Sequence, residues 1–153
     1  MSTAFHENVI RRPYTVGLST AVRGVEVVSM ADVKGIVFVV DDDISVRESL
    51  PDLLQQVGFA VQAFASAEAF LTSDAADETS CLVLDVGLPG MSGPDLQQEL
   101  VRREKRVPIV FITAKGDKSL QPRLLAAGAV ACLFKPFTDT ALIEAVEAAL
   151  RMR

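Results

Sequence analysis

Cys81-Leu82-Val83-Leu84-Asp85-Val86-Gly87-Leu88-Pro89-Gly90-Met91-Ser92-Gly93 reads as a short apolar strand that is buried on both faces and delivers one carboxylate, Asp85, to its C-terminal tip. Gly and Pro then force the chain to turn. In an open α/β sheet that tip is where ligands bind. A lone Asp there serves equally well as the cap of the following helix. Asp85 is not alone, because three further apolar strands end in chemistry-bearing residues. Asp41, Asp42 and Asp43 follow Ile36 to Val40, Thr113 follows Ile109 to Ile112, and Lys135 follows Val130 to Phe134.

Outward from these strands the chain alternates. Ser45 with Glu48 three residues on is the expected capping box of a helix running to about Val57, where Gly58 ends it. Val46, Leu50, Leu53, Leu54 and Val57 carry helical spacing, and Pro51 falls inside, removing the bond to the Arg47 carbonyl at a cost of about 3 kcal/mol and predicting a kink. Ala60 to Phe64 is the second strand and Ser66 opens a short helix; Thr72 to Thr79 is a polar connection. Ser92, Gly93 and Pro94 open the next helix, with Leu96, Leu100 and Val101 facing inward. The basic run Arg102-Arg103-Glu104-Lys105-Arg106 reads as a solvated helix end favoured by the helix dipole, not as a nucleic-acid patch. Lys115 to Lys118 is a loop; the helix after it, roughly Ser119 to Ala127, accommodates Pro122 in its first turn. Thr138 caps a last helix striped with Leu142, Ile143, Val146 and Leu150.

Five strands alternating with five helices imply a doubly wound parallel sheet with helices on both faces. With 153 residues, half of them apolar, one domain can bury its core without metal or disulfide. The net charge of −5 disfavours direct binding to nucleic acid. Cys81 and Cys132 lie in apolar strands and read as buried thiols; His6, the one histidine, sits in a polar N-terminal stretch and offers no catalyst. No run approaches transmembrane length and no signal-peptide layout opens the chain, so a cytoplasmic location without membrane contact is expected. Residues 1–34 sustain no periodicity and read as a flexible extension, with a marginal strand at Val22 to Val28 and translation expected to start at Met30.

The segments VVDDD at 39–43, LVLDVGLPGMSG at 82–93, FITA at 111–114 and KPF at 135–137 together resemble the receiver domain of two-component response regulators, most closely the FixJ-type branch. The resemblance covers residues 35–151 and implies the flavodoxin-like, CheY-like strand order 2-1-3-4-5. It implies that Asp85 is the phosphoacceptor, that a histidine kinase or phosphotransfer protein is the donor, and that Mg²⁺ is held by Asp42, Asp85 and the Gly87 backbone carbonyl, with Asp41 acting through water. It also implies a switch in which Thr113 is drawn inward and an aromatic ring on the last strand follows. Here the pattern breaks: that position is Cys132, read as a small buried residue, with Phe134 two residues along on the same face.

The residues themselves call for a metal. Two carboxylates about 4 Å apart repel by roughly 4 kcal/mol at an effective dielectric near 20, so the acids need cations. Lys135 supplies one; a hard divalent ion that leaves room for phosphate supplies the remainder. Phosphoryl transfer rests on positioning and charge neutralisation, which Lys135, the Thr113 hydroxyl and nearby backbone N–H groups would contribute around an Asp85 nucleophile. A Mg²⁺-dependent phosphohydrolase would need a general acid two residues after its nucleophile, where Gly87 stands. A flavin-binding domain would need a phosphate cradle where Asp41-Asp42-Asp43 repel one. FixJ-type regulators continue into a DNA-binding domain, whereas this sequence stops at Arg153. The expectation is thus a stand-alone receiver, not a conventional enzyme, acting through a partner protein, a homodimer or a phosphate sink, with a truncated transcriptional regulator as the alternative.

Overall fold

Strict alternation along Ile36–Val40 sets the architecture. In the computed structural model, which describes residues 9–11, 15–16, 27–29, 33–114 and 118–152, all five of its side chains are buried. Ile36, Phe38 and Val40 belong to one apolar cluster and Val37 and Val39 to another, so the strand carries a core on each face. Five parallel strands repeat this pattern: β1 (Ile36–Val40), β2 (Ala60–Phe64), β3 (Cys81–Asp85), β4 (Ile109–Thr113) and β5 (Ala131–Phe134). Their pairing gives the order 2-1-3-4-5.

Helices cover both faces. Phe70 of α2 (Ala67–Thr72), Leu96 and Leu100 of α3 (Gly93–Arg102) and Leu124 of α4 (Leu120–Ala126) pack against Phe38, Leu82, Leu84 and Phe111. Leu50 and Leu54 of α1 (Ile44–Gln56) and Leu142 and Val146 of α5 (Asp139–Arg151) pack against Val39, Val83 and Ile112 on the other side. α1 runs unbroken through Pro51. Gly58, at φ +103°, ends it by letting the Phe59 N–H reach the Leu54 carbonyl at 3.1 Å, and Gly128, at φ +110°, ends α4 likewise. α3 makes the same turn with Glu104 at φ +59°, a conformation that a side chain resists.

Three local expectations need correction. α1 is capped by Asp43, not by the Ser45–Glu48 box: the Asp43 carboxylate accepts from both the Ser45 N–H at 2.9 Å and the Ser45 hydroxyl at 2.8 Å. A carboxylate is the stronger acceptor, and it starts the helix nearer the acid cluster. In α3, Val101 is 66% exposed, and Gln97 takes the inward place instead, donating to the Ala127 carbonyl at 3.4 Å. The sheet also gains an outer strand, the two-residue Thr15–Val16, antiparallel to β2. Val9–Arg11 pairs with Val27–Ser29 as a separate antiparallel ribbon, which takes in the end of the strand expected at Val22–Val28. The rest of that strand, Met30 and most of the expected extension lie outside the described residues, as do 115–117 of the loop after β4.

Candidate functional site

The parallel register aligns the strand ends, and the polar residues arrive together because each stands at or just past the end of an apolar run. Asp41 and Asp42 leave β1, Asp85 closes β3, Thr113 closes β4 and Lys135 follows β5. Carboxylate oxygens of Asp41, Asp42 and Asp85 all lie within 4.8 Å of one another, with Asp41 and Asp85 buried and Asp42 exposed. Lys135 Nζ reaches Asp41 Oδ2 at 3.0 Å. The other Asp41 oxygen accepts the Asp43 N–H at 2.9 Å, so the innermost acid is held from two sides.

Asp85 is less well compensated. Its Oδ1 accepts the Gly87 N–H at 3.3 Å. Burial, with the neighbouring Asp41 charge behind it, pushes its carboxyl above the usual range, against the pull of Gly87 and Lys135. Asp43 is the opposite case: its hydrogen bonds from the Ser45 hydroxyl and N–H hold its carboxyl low, which suits a helix cap outside the cluster.

The loop from Val86 to Ser92 is fixed at both ends. The Val86 N–H donates to the Ile112 carbonyl at 2.9 Å and the Gly93 N–H to the Val86 carbonyl at 3.1 Å. Gly93 allows the close passage, because a Cβ there would stand 2.5 Å from the Asp85 carbonyl oxygen. Ser92 and Asp95 then complete a reciprocal capping box.

At the far side, the Thr113 carbonyl accepts the Lys135 N–H at 2.7 Å, and Thr113 pairs in register with Phe134. This ties the hydroxyl-bearing and ammonium-bearing residues to each other through the main chain. The Lys135–Pro136 peptide is cis. Cys132 is 5% exposed and packs in the cluster of Phe111 and Leu124, as a small buried residue does, while Phe134 is half-buried. Burial raises the Cys132 thiol and pushes that of Cys81 up to about 12, so neither is a thiolate.

Two participants were not legible in sequence. Arg47 donates from its guanidinium to the Asp41 carbonyl at 3.0 Å, and Glu68 accepts the Met91 N–H at 2.9 Å. Both act on backbone groups, which leave no mark in a pattern of side chains.

A family model for the response regulator receiver domain matches residues 37–147, a span that takes in all of the parallel sheet but Ile36, and the whole acid cluster. The chain belongs to the response regulator receiver family. Nodulation protein W of Bradyrhizobium diazoefficiens is 54% identical over 119 residues, 78% of this chain and 52% of that protein. Transcriptional regulatory protein FixJ of Azorhizobium caulinodans is 43% identical over 114 residues, 74% of this chain and 54% of that one. The crystal structure of FixJ-N superposes with a TM-score of 0.72 at 40% identity, covering 78% of this chain and 96% of that one. This receiver chain spans about half the length of the curated relatives it matches. Receiver domains work in two-component systems with histidine kinases, and phosphorylation and Mg²⁺ are typical of the family. Among the described residues no helix of this receiver is long and apolar enough to cross a membrane. Its basic run is engaged locally: Arg102 and Arg103 both pair with Glu99, which they hold down at about 2, and Lys105 pairs with Asp77.

Proposed function

We propose that the protein accepts a phosphoryl group on Asp85 in a Mg²⁺-dependent reaction, with a histidine kinase or phosphotransfer protein as donor. The observation that carries this reading is the convergence of Asp41, Asp42 and Asp85 within 4.8 Å under a lysine already bonded to one of them. The donor set fits the metal: hard carboxylate oxygens at a half-open edge suit an ion that takes one or two carboxylates and keeps waters and phosphate oxygens. Asp42, Asp85 and the Gly87 carbonyl would hold it, with Asp41 acting through water. Bound there, the ion supplies positive charge against the phosphoryl oxygens.

The remaining steps belong to the chain. An Asp85 carboxylate oxygen forms a bond to phosphorus as the P–N bond of the donor phosphohistidine breaks, and the imidazole leaves with the electron pair. Lys135 and the Thr113 hydroxyl meet the oxygens of the incoming group. Water later attacks the aspartyl phosphate, restoring the carboxylate and releasing inorganic phosphate. Gly87, two residues after the nucleophile, offers no general acid for a leaving alcohol, which favours a phosphoacceptor over a phosphohydrolase.

Output then runs through the surface that Thr113 and β5 share: a partner protein or a second copy reads it, or the phosphoryl group is drained from another regulator. With Cys132 in place of a large ring, Phe134 is the aromatic side chain on that face of β5. Incubation with a small acyl phosphate and Mg²⁺, read by intact mass, tests the acceptor reading. Wild type should gain one phosphoryl group, with chelator removing the gain; Asp85→Asn should gain none. Equal labelling of the variant, or sustained release of phosphate from simple esters, would overturn the reading.

A further inference from the structure

The loop that carries Gly87 leaves β3 and crosses toward α3 with its outer turn, Gly90-Met91, at the surface. Gly90 adopts φ +72°, a left-handed turn that directs the next amide out of the loop. That amide, the Met91 N–H, is received by Glu68 Oε2 at 2.9 Å, from a helix 23 residues earlier in the chain. The fit is close: a Cβ on Gly90 would stand 2.7 Å from the same Glu68 oxygen. Glu68 lies in the first turn of α2, where Ser66 caps the helix by accepting the Ala69 N–H at 3.0 Å and Phe70 anchors it in the core. The carboxylate is thus presented from a fixed base. The Met91 N–H, then the Glu68 N–H, hold this carboxyl below its usual range, in keeping with its role as their acceptor.

We propose that Glu68 is a positioning residue for the phosphoacceptor loop, pinning the Gly90–Met91 turn so that the Gly87 carbonyl and the Asp85 carboxylate share one fixed geometry. The proposal rests on the reading of Asp85 as the acceptor and adds to it a residue outside the acid cluster. The inner end of the loop is fixed by main-chain bonds of Val86 and Gly93 and by buried Leu88. Glu68 supplies the side-chain restraint on the outer turn. Without it the turn keeps the partial packing of Met91 against the core and the Ser92–Asp95 box that follows, neither of which receives the Met91 N–H. A loop free to sample other turns presents the Gly87 carbonyl in the binding geometry for only part of the time, and apparent metal affinity falls by that fraction.

Three proteins decide the matter: wild type, Glu68→Ala and Glu68→Gln. Both variants remove the charge, but only glutamine keeps an oxygen to accept the Met91 N–H. Calorimetric titration with Mg²⁺ and amide hydrogen exchange at Met91 are read beside the rate of labelling by acyl phosphate. Glu68→Ala should weaken Mg²⁺ binding and slow labelling by about three- to tenfold and speed Met91 exchange by a similar factor, while Glu68→Gln stays within about twofold of wild type. Wild-type Mg²⁺ affinity in Glu68→Ala, or an equal loss in both variants, would overturn the positioning role. A lower Tm in Glu68→Ala with unchanged affinity and rate would reduce Glu68 to a structural tie and overturn it too. Because Mg²⁺ affinity and Met91 exchange require no phosphorylation, they test Glu68 even if Asp85 proves not to be the acceptor.

Discussion

The two ends of the same sheet treat polar residues in opposite ways. At the N-terminal end, Ser80 and Thr79 are buried and fully used by the main chain: Ser80 Oγ accepts the Ile36 N–H at 3.1 Å, and Thr79 Oγ1 donates to the Cys81 carbonyl at 2.8 Å. At the C-terminal end, three carboxylates crowd within 4.8 Å and lean on one lysine. One end joins the strands; the other holds charge that the fold alone leaves under-compensated, and that deficit is what a cation and a phosphoryl group can relieve. Stability and function are therefore divided between the ends, and substitutions should divide the same way.

The largest effect belongs to Lys135→Met. Asp41 is fully buried, so removing its partner strands a charge, and unfolding in denaturant should show a loss of about 2–4 kcal/mol together with a collapse of labelling by acyl phosphate. A loss below about 1 kcal/mol would mean that the cluster does not depend on that ion pair. Ser80→Ala should cost about 1–2 kcal/mol by orphaning the Ile36 N–H, with labelling rate unchanged. A slowed rate there would break the division between the ends.

Asp85→Asn should do the reverse, abolishing labelling while stabilising the metal-free protein at neutral pH by a smaller amount than Ser80→Ala costs. The sign follows from the upward shift of Asp85. Because the native state binds this proton more tightly than the unfolded chain does, ionisation weakens the fold as pH rises from 3.8 through the native value. The advantage of Asn should thus vanish below 3.8 and grow as pH rises through the native value, which denaturant titrations across that range in chelator will measure. The smallest effect is Glu104→Gly, at the end of α3 remote from the acids. Relieving the left-handed φ of +59° should gain about 0.5–1 kcal/mol and leave labelling untouched.

The contrast between the ends also explains what could be read from sequence. Strands buried on both faces are continuous apolar runs, so Ile36–Val40 and Cys81–Asp85 are visible with their bounds, and the acids, Thr113 and Lys135 follow as strand ends. The α1 cap is not legible in sequence because both Asp43 and Ser45 can cap and only geometry shows which one accepts. The inward place of Gln97 leaves no sequence signal because its partner, the Ala127 carbonyl, is 30 positions away. Thr15–Val16 is too short to display a period. Arg47 and Glu68 escaped for the same reason as Gln97: each spends its side chain on a distant backbone group.

Chemical trapping addresses the central assignment most directly. After labelling with acyl phosphate and Mg²⁺, borohydride reduction converts an aspartyl phosphate to homoserine, and peptide mass spectrometry reads which position changed. The account requires homoserine at position 85 and at neither 41 nor 42. Conversion at another aspartate, or a label that resists reduction because it sits on a hydroxyl, would contradict it.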